Sequence, residues 1–119
     1  MRDFKNIKAW QLADKLTLNV YKLTKNFPKE ELYGVTSQLR RAAVSVPTNI
    51  AEGATRNSSK EYLQFLYIAK SSLAEAEYLL RLSCNLGYLQ EQNYREIDNI
   101  RIECAKTLYG LISSVANDS

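Results

Sequence analysis

Apolar residues recur at steps of three and four along four long stretches of the chain, and this spacing constrains the fold more than any other feature. In the first stretch they fall at Trp10, Ala13, Leu16, Val20 and Leu23. Such spacing places the side chains on one face of an α-helix. Equivalent patterns predict helices over residues 7–26, 29–53, 59–86 and 91–115. Because short connections between long helices favour antiparallel packing, we expect an all-α fold, an antiparallel up-down four-helix bundle that forms one domain over residues 1–119.

Proline and capping residues mark the predicted helix boundaries. Pro28 ends the first helix, because the residue before a proline is pushed out of the α region. Ser58 and Glu61 have the spacing of a capping box, which predicts the start of the third helix. Pro47 falls inside the second helix, where it removes the hydrogen bond that the carbonyl of Ala43 would otherwise receive. We therefore expect the second helix to be kinked at Pro47.

The residue types that most enzymes and metal sites require are absent or isolated. The chain contains no histidine, the commonest general base and transition-metal ligand. Its four glycines stand far apart, which argues against a glycine-rich phosphate loop. Cys84 and Cys104 lack the spacing of a metal site or a redox pair and are predicted to be free thiols. We therefore expect no enzyme activity, no metal and no cofactor.

Hydropathy and charge bear on location and partners. No apolar run reaches the roughly 18 residues of a membrane span, and no apolar core follows the charged N-terminus, so we expect a cytoplasmic protein. The chain has 16 basic and 13 acidic side chains, a formal net charge of +3. Such an excess permits contact with an anionic polymer without requiring it.

The two middle helices carry apolar residues away from their main apolar faces. We name this set the second apolar faces: Ile68, Leu79, Leu82 and Leu86 on the third helix, and Tyr33, Val44, Pro47 and Ala51 on the second. One interpretation is scattered surface hydrophobes, which are common. The other is a contact between copies of the chain, because extended apolar rows on a monomer promote association. We prefer homo-oligomerisation, although the spacing fixes no subunit number.

A polar row also runs along the second helix: Gln38, Arg41, Ser45, Asn49 and Glu52. One interpretation is a solvated face on which Ser45 or Asn49 satisfies backbone groups disturbed by Pro47. The other is a recognition strip, with Arg40, Arg41 and Arg56 as phosphate contacts. The sequence leaves both open.

The central part of the chain resembles a known family. The resemblance rests on the run Gln38-Leu39-Arg40-Arg41-Ala42-Ala43-Val44-Ser45-Val46-Pro47-Thr48-Asn49-Ile50-Ala51-Glu52-Gly53, with Phe27-Pro28 and Tyr33-Gly34 before it and Arg56, Ser58 and Glu61 after it. This pattern is similar to that of bacterial four-helix-bundle proteins encoded by intervening sequences inside 23S ribosomal RNA genes, often labelled ribosomal-protein-like. The resemblance extends over nearly the whole chain.

The resemblance implies the same fold, assembled as ring-shaped homopentamers. It also implies kinship with the accessory variability proteins of diversity-generating retroelements, similar bundles that bind nucleic acid and a reverse transcriptase through a basic surface. By this resemblance the nucleic-acid contacts would fall on Arg40, Arg41, Arg56 and Lys60. We therefore expect a non-enzymatic homo-oligomer associated with RNA or a ribonucleoprotein. The alternative is a protein–protein interaction scaffold that binds no nucleic acid.

Overall fold

The computed structural model describes residues 2–118, which form four α-helices and no β-strand. The helices are α1 (Lys8–Thr24), α2 (Val35–Ala54), α3 (Ser59–Asn85) and α4 (Glu91–Asn117). Short 3-10 turns at Phe4–Asn6 and Lys29–Glu31 precede α1 and α2. The predicted all-α fold is confirmed.

Each helix packs against two neighbours, so the four helices close into a bundle. The contacting pairs are α1 with α2, α2 with α3, α3 with α4, and α4 with α1, whereas within residues 2–118 the diagonal pairs do not pack. The bundle measures 45 × 24 × 20 Å. Its interior is filled by side chains that are at most 1% exposed, among them Leu16, Val20, Leu39, Leu66 and Leu108. None of the helices within residues 2–118 is long and apolar enough to cross a bilayer.

The start of α2 differs from the prediction of a helix from residue 29. Lys29–Glu31 form a separate 3-10 turn, and α2 begins only at Val35. The carboxylate of Glu31 accepts a hydrogen bond from the Val35 N–H at 3.4 Å and another from the Tyr88 hydroxyl at 2.8 Å. A Cβ at Gly34 would lie 2.5 Å from Glu31 Oε1, so this carboxylate fills the space of a side chain. The predicted start at residue 29 is wrong, because the backbone of Gly34 is not helical and α2 begins only after it.

The α2–α3 junction follows the sequence prediction more closely. Ser58 caps α3, with its Oγ accepting from the Glu61 N–H at 3.2 Å and donating to Glu61 Oε2 at 3.2 Å. Gly53 is buried in the last turn of α2, where an added Cβ would lie 2.9 Å from both Phe65 Cβ and Tyr62 Cδ1. The missing side chain therefore lets the end of α2 approach the start of α3 closely.

Pro47 is buried inside α2, which continues through it without interruption. The carbonyl of Ala43, which has no N–H donor at position 47, lies 3.0 Å from the hydroxyl of Thr17 on α1. The same hydroxyl lies 2.8 Å from the carbonyl of Ala13, so its one proton is shared between two acceptors. The freed carbonyl is thus satisfied from α1, and not by Ser45 or Asn49. A kink at Pro47 stays a prediction.

Candidate nucleic-acid interface

A row of three lysines runs along the outer face of α1. Lys8, Lys15 and Lys22 are all exposed and are spaced seven residues apart. Because seven residues make almost two helical turns, the three side chains share one face over roughly 21 Å. Within residues 2–118, the ion pairs involve only Arg95 and Arg101 as cations. The α1 lysine row, defined by these three residues, therefore carries charge that no carboxylate neutralises by direct pairing.

The α1 lysine row belongs to a wider charge asymmetry along the chain. The acidic residues of the first 29 positions are Asp3 and Asp14 alone. The basic residues of the same segment are Arg2, Lys5, Lys8, Lys15, Lys22, Lys25 and Lys29. The modest net charge of the whole chain conceals this local excess. Sequence reasoning missed the row, although the seven-residue spacing within a predicted helix could have found it.

Arg40, a predicted phosphate contact, lies half-buried against the end of α1. Its Nε donates to Thr24 Oγ1 at 2.8 Å, and its guanidinium carbon lies 4.8 Å from the centre of the Tyr21 ring. It forms no ion pair within residues 2–118. Arg40 therefore holds α1 to α2 through one nitrogen and leaves its terminal nitrogens without a hydrogen-bond partner.

Arg41 is exposed beside a polar groove between α2 and α3. The groove has a volume of about 530 Å³ and is lined by Gln38, Arg41, Ala42, Ser45, Ser72 and Glu75. Ser72 donates to Ser45 Oγ at 2.7 Å, and Asn49 donates to the Ser45 carbonyl at 2.8 Å. Part of the predicted polar row is thus engaged in hydrogen bonds within the protein. Arg41 stays free to contact a partner.

Arg56 and Lys60 lie at the opposite end of α2. Arg56 stacks on Phe65, with its guanidinium carbon 4.5 Å from the ring centre, and its carbonyl accepts a hydrogen bond from Arg2 at 3.0 Å. Lys60 is exposed in the first turn of α3. About 20 Å of α2 separates this end from Arg41. The structure therefore does not bring the four predicted basic residues into one patch.

The residues of the second apolar faces differ more in exposure to solvent than their positions around the helix predict. Leu79 is only 4% exposed, and the interpretation of this residue as a free surface position is wrong. It lies two turns beyond Ser72, on the side of α3 that faces α2, so the chain's own packing covers it. Leu82 is half-buried against the same core.

The remaining members of the second apolar faces lie at the surface to different degrees. Tyr33 is 92% exposed, Ile68 and Leu86 are each 49% exposed, and Val44 is 37% exposed. Ala51 is half-buried, and Pro47 is buried, so the interpretation of Pro47 as a surface position is wrong. Several large apolar side chains are thus left for a partner to cover, mostly on the outer side of α3 and at the bundle end that contains Tyr33 and Leu86.

Arg101 interrupts the apolar face of α4 and is accommodated by two carboxylates. Its Nε donates to Asp98 at 2.7 Å, and Nη2 lies 3.5 Å from Glu77 on α3. The Arg101 side chain is only 13% exposed. This cluster ties α3 to α4. Within residues 2–118, no group of three or more histidine, cysteine, aspartate or glutamate side chains is arranged to hold a metal ion.

Comparisons with known proteins agree with this architecture. A crystal structure of a protein of unknown function from the S23 ribosomal protein family of Bacteroides thetaiotaomicron superposes with a TM-score of 0.81 and is 24% identical, covering 88% of this chain and 95% of that chain. The likeness shows that the two share a fold. No curated protein matches the sequence. Residues 5–110 match the family described as 23S rRNA-intervening sequence protein. The match spans most of the chain, which therefore belongs to the 23S rRNA-intervening sequence protein family.

Proposed function

We propose that this chain is a non-enzymatic, homo-oligomeric protein that associates with RNA or a ribonucleoprotein through the outer face of α1. The observation that carries the proposal is the α1 lysine row, whose three ammonium groups are exposed and unpaired within the described residues. The family description, which refers to 23S ribosomal RNA, makes RNA the polyanion to test first.

The chemistry of the α1 lysine row suits phosphate more than a base edge. Lysine presents a compact, strongly hydrated charge on a flexible stem, without the planar fork that reads bases or carboxylates in pairs. Three such charges on one helix face attract a phosphate backbone and release its condensed counterions. We therefore expect binding that depends little on base sequence and weakens steeply as salt is added. Arg41, exposed beside the polar groove on α2, supplies a further contact in this proposal.

Self-assembly forms the second half of the proposal. It is supported by the apolar side chains that packing within one chain leaves exposed, notably Ile68, Leu86 and Tyr33. Burying large apolar residues between copies removes that surface from water. The resemblance described above makes five copies the number to test. An assembly would also present several α1 lysine rows at once, which raises the affinity for a long RNA through multivalency.

The test compares two variants that lose the same charge from different faces. The first variant, the α1 variant, has glutamine in place of Lys8, Lys15 and Lys22. The matched control changes Lys70, Arg81 and Lys106 to glutamine, which removes three exposed cations from α3 and α4. Affinity for a 23S ribosomal RNA fragment is measured by filter binding at low ionic strength.

We expect the α1 variant to lose at least about tenfold in affinity, because each lost phosphate contact removes a counterion-release contribution. The control should lose much less. Equal losses in the two variants would mean that net charge matters and the face does not. Undetectable binding by the unmodified protein at low salt would contradict the RNA function itself.

The polar groove between α2 and α3 favours a second candidate, a protein-interaction scaffold. The groove is lined by both the cation of Arg41 and the carboxylate of Glu75. A pair of opposite charges complements a protein surface, which carries both signs of charge, better than it complements an RNA backbone, which is only negative. A reverse transcriptase is one such partner by family analogy. Capture of one protein that survives nuclease treatment and is lost in Arg41→Glu would support the scaffold, whereas capture that nuclease abolishes would favour RNA.

A further inference from the structure

A second basic site lies at one end of the bundle, where the α1 lysine row ends at Lys22. Here the end of α1, the connection over residues 25–34 and the first turn of α2 enclose a pocket of about 420 Å³. The volume falls within the range of roughly 300–1,000 Å³ that small-molecule pockets occupy. The pocket is lined by Thr24, Lys25, Phe27, Pro28, Lys29, Leu32, Thr36 and Arg40. Three of these residues are cations and none is a carboxylate.

Arg40 is held in place before any ligand arrives. Its Nε bond to Thr24 and its stacking on Tyr21 fix the plane of the guanidinium, while both terminal nitrogens lack a hydrogen-bond partner among residues 2–118. A guanidinium in this state presents a preorganised fork, the geometry that binds phosphate oxygens in pairs. Lys25 and Lys29 are exposed and line the same pocket, so both can contact a ligand bound there.

Thr36 provides an independent sign that a ligand belongs in this pocket. The residue is 2% exposed, and its Oγ1 has no hydrogen-bond partner within the described residues. Buried hydroxyl groups are nearly always hydrogen-bonded, because an unmade bond in a dry environment is destabilising. Thr24 shows the ordinary behaviour, since its hydroxyl donates to the Val20 carbonyl at 2.8 Å and accepts from Arg40. Thr36 is part of the pocket lining and its hydroxyl oxygen is closed to solvent, so a polar ligand that reaches this wall would supply the hydrogen bond that the protein does not make.

We infer that this pocket binds a phosphate monoester, such as the 5′-phosphate of a nucleotide. The three cations more than balance the two negative charges of a phosphate dianion, and the Thr36 hydroxyl supplies a donor to one of its oxygens. Phe27, Pro28 and Leu32 form an apolar wall against which the organic part of the ligand packs. The nucleotide is either free or the end of an RNA strand. Only the second source rests on the proposed RNA function.

Two pairs of probes separate these sources. Adenosine 5′-monophosphate is compared with adenosine by isothermal titration calorimetry. A short RNA carrying a 5′-phosphate is compared with the same RNA carrying a 5′-hydroxyl. A free nucleotide as ligand predicts binding of adenosine 5′-monophosphate and not of adenosine. An RNA end as ligand predicts that the 5′-phosphate strengthens RNA binding about tenfold, the size of one charge-assisted contact.

Variants of the pocket residues distinguish a specific phosphate-binding site from non-specific electrostatic attraction. Thr36→Val removes the unpaired hydroxyl at nearly constant shape, so it should leave folding intact or improved while weakening the phosphate-dependent binding several-fold. The matched control is Thr107→Val, which removes a hydroxyl from the far side of the bundle, on α4. The combined Lys25→Gln and Lys29→Gln variant changes only exposed side chains and should also weaken that binding.

The outcomes separate this site from the proposed RNA surface. Changing only Lys8 and Lys15, the two members of the α1 lysine row that lie far from the pocket, to glutamine should leave binding of adenosine 5′-monophosphate intact. The inference is overturned if adenosine 5′-monophosphate does not bind and the 5′-phosphate adds nothing to RNA affinity, even when the 5′-hydroxyl RNA binds in a salt-dependent manner. It is equally overturned if Thr36→Val and the lysine variant both bind the phosphorylated probes as the unmodified protein does.

Discussion

Thr17→Val tests whether α1 compensates for the proline inside α2. Valine has nearly the shape of threonine but no hydroxyl, so the change removes the donor 3.0 Å from the Ala43 carbonyl. Ala43 is 0% exposed, so water cannot replace the lost bond without rearrangement. A buried acceptor left unsatisfied costs about 1–3 kcal/mol. A loss of about 2 kcal/mol would lower the melting temperature by roughly 6–12 °C in a chain of this length.

The assay is thermal unfolding followed by circular dichroism at one fixed protein concentration, because the proposed self-assembly would make the melting temperature depend on concentration. The control is a double-mutant cycle with Pro47→Ala. Alanine restores an N–H at position 47 that can donate to the Ala43 carbonyl, so Thr17→Val should cost much less in the Pro47→Ala background. A cost that is the same in both backgrounds would refute the idea that Thr17 serves the carbonyl freed by the proline.

Two further predictions concern assembly and thiol chemistry. Ile68→Glu should lower the particle mass measured by sedimentation while helix content is retained. The control Gln64→Glu, one turn earlier on α3, should leave the mass unchanged. An unchanged mass for Ile68→Glu would exclude that position from the proposed subunit contact. Burial raises the pKa of Cys104 to about 12, which leaves about one thiol in ten thousand ionised at pH 8. Iodoacetamide should therefore modify the half-buried Cys84 in the native protein but Cys104 only after unfolding. Rapid labelling of Cys104 in the native protein would contradict its burial in the core.

The sequence predicted the helices well because helical periodicity is a local property. The apolar spacing identified the four helices, and the Ser58–Glu61 capping box marked the start of α3. The same reasoning failed where distant parts of the chain decide the structure. Glu31 accepts a hydrogen bond from Tyr88 on the α3–α4 connection, a contact across 57 residues that no local pattern contains. The second helix also begins later than predicted, at Val35.

The surface was harder to predict than the core, because a helical angle does not reveal where neighbouring helices lie. The sequence pattern places Leu79 away from the main apolar face of α3, yet it is buried, on the same side of α3 as Ser72, which contacts α2. Arg40 looked like a free cation, but it is bonded to Thr24 on α1. The α1 lysine row could have been found from its spacing. That its lysines are unpaired within the described residues became visible only in three dimensions.

The most direct test of the proposed RNA surface is the slope of log affinity for the RNA fragment against log salt concentration. The slope is measured for the unmodified protein and for the α1 variant, in which glutamine replaces Lys8, Lys15 and Lys22. Each phosphate contact contributes roughly 0.7–0.9 to the steepness of this slope, so losing three should flatten it by about two. We predict this flattening, with little change in the control that loses Lys70, Arg81 and Lys106. An identical slope for the unmodified protein and the α1 variant would show that the outer face of α1 does not contact RNA phosphates.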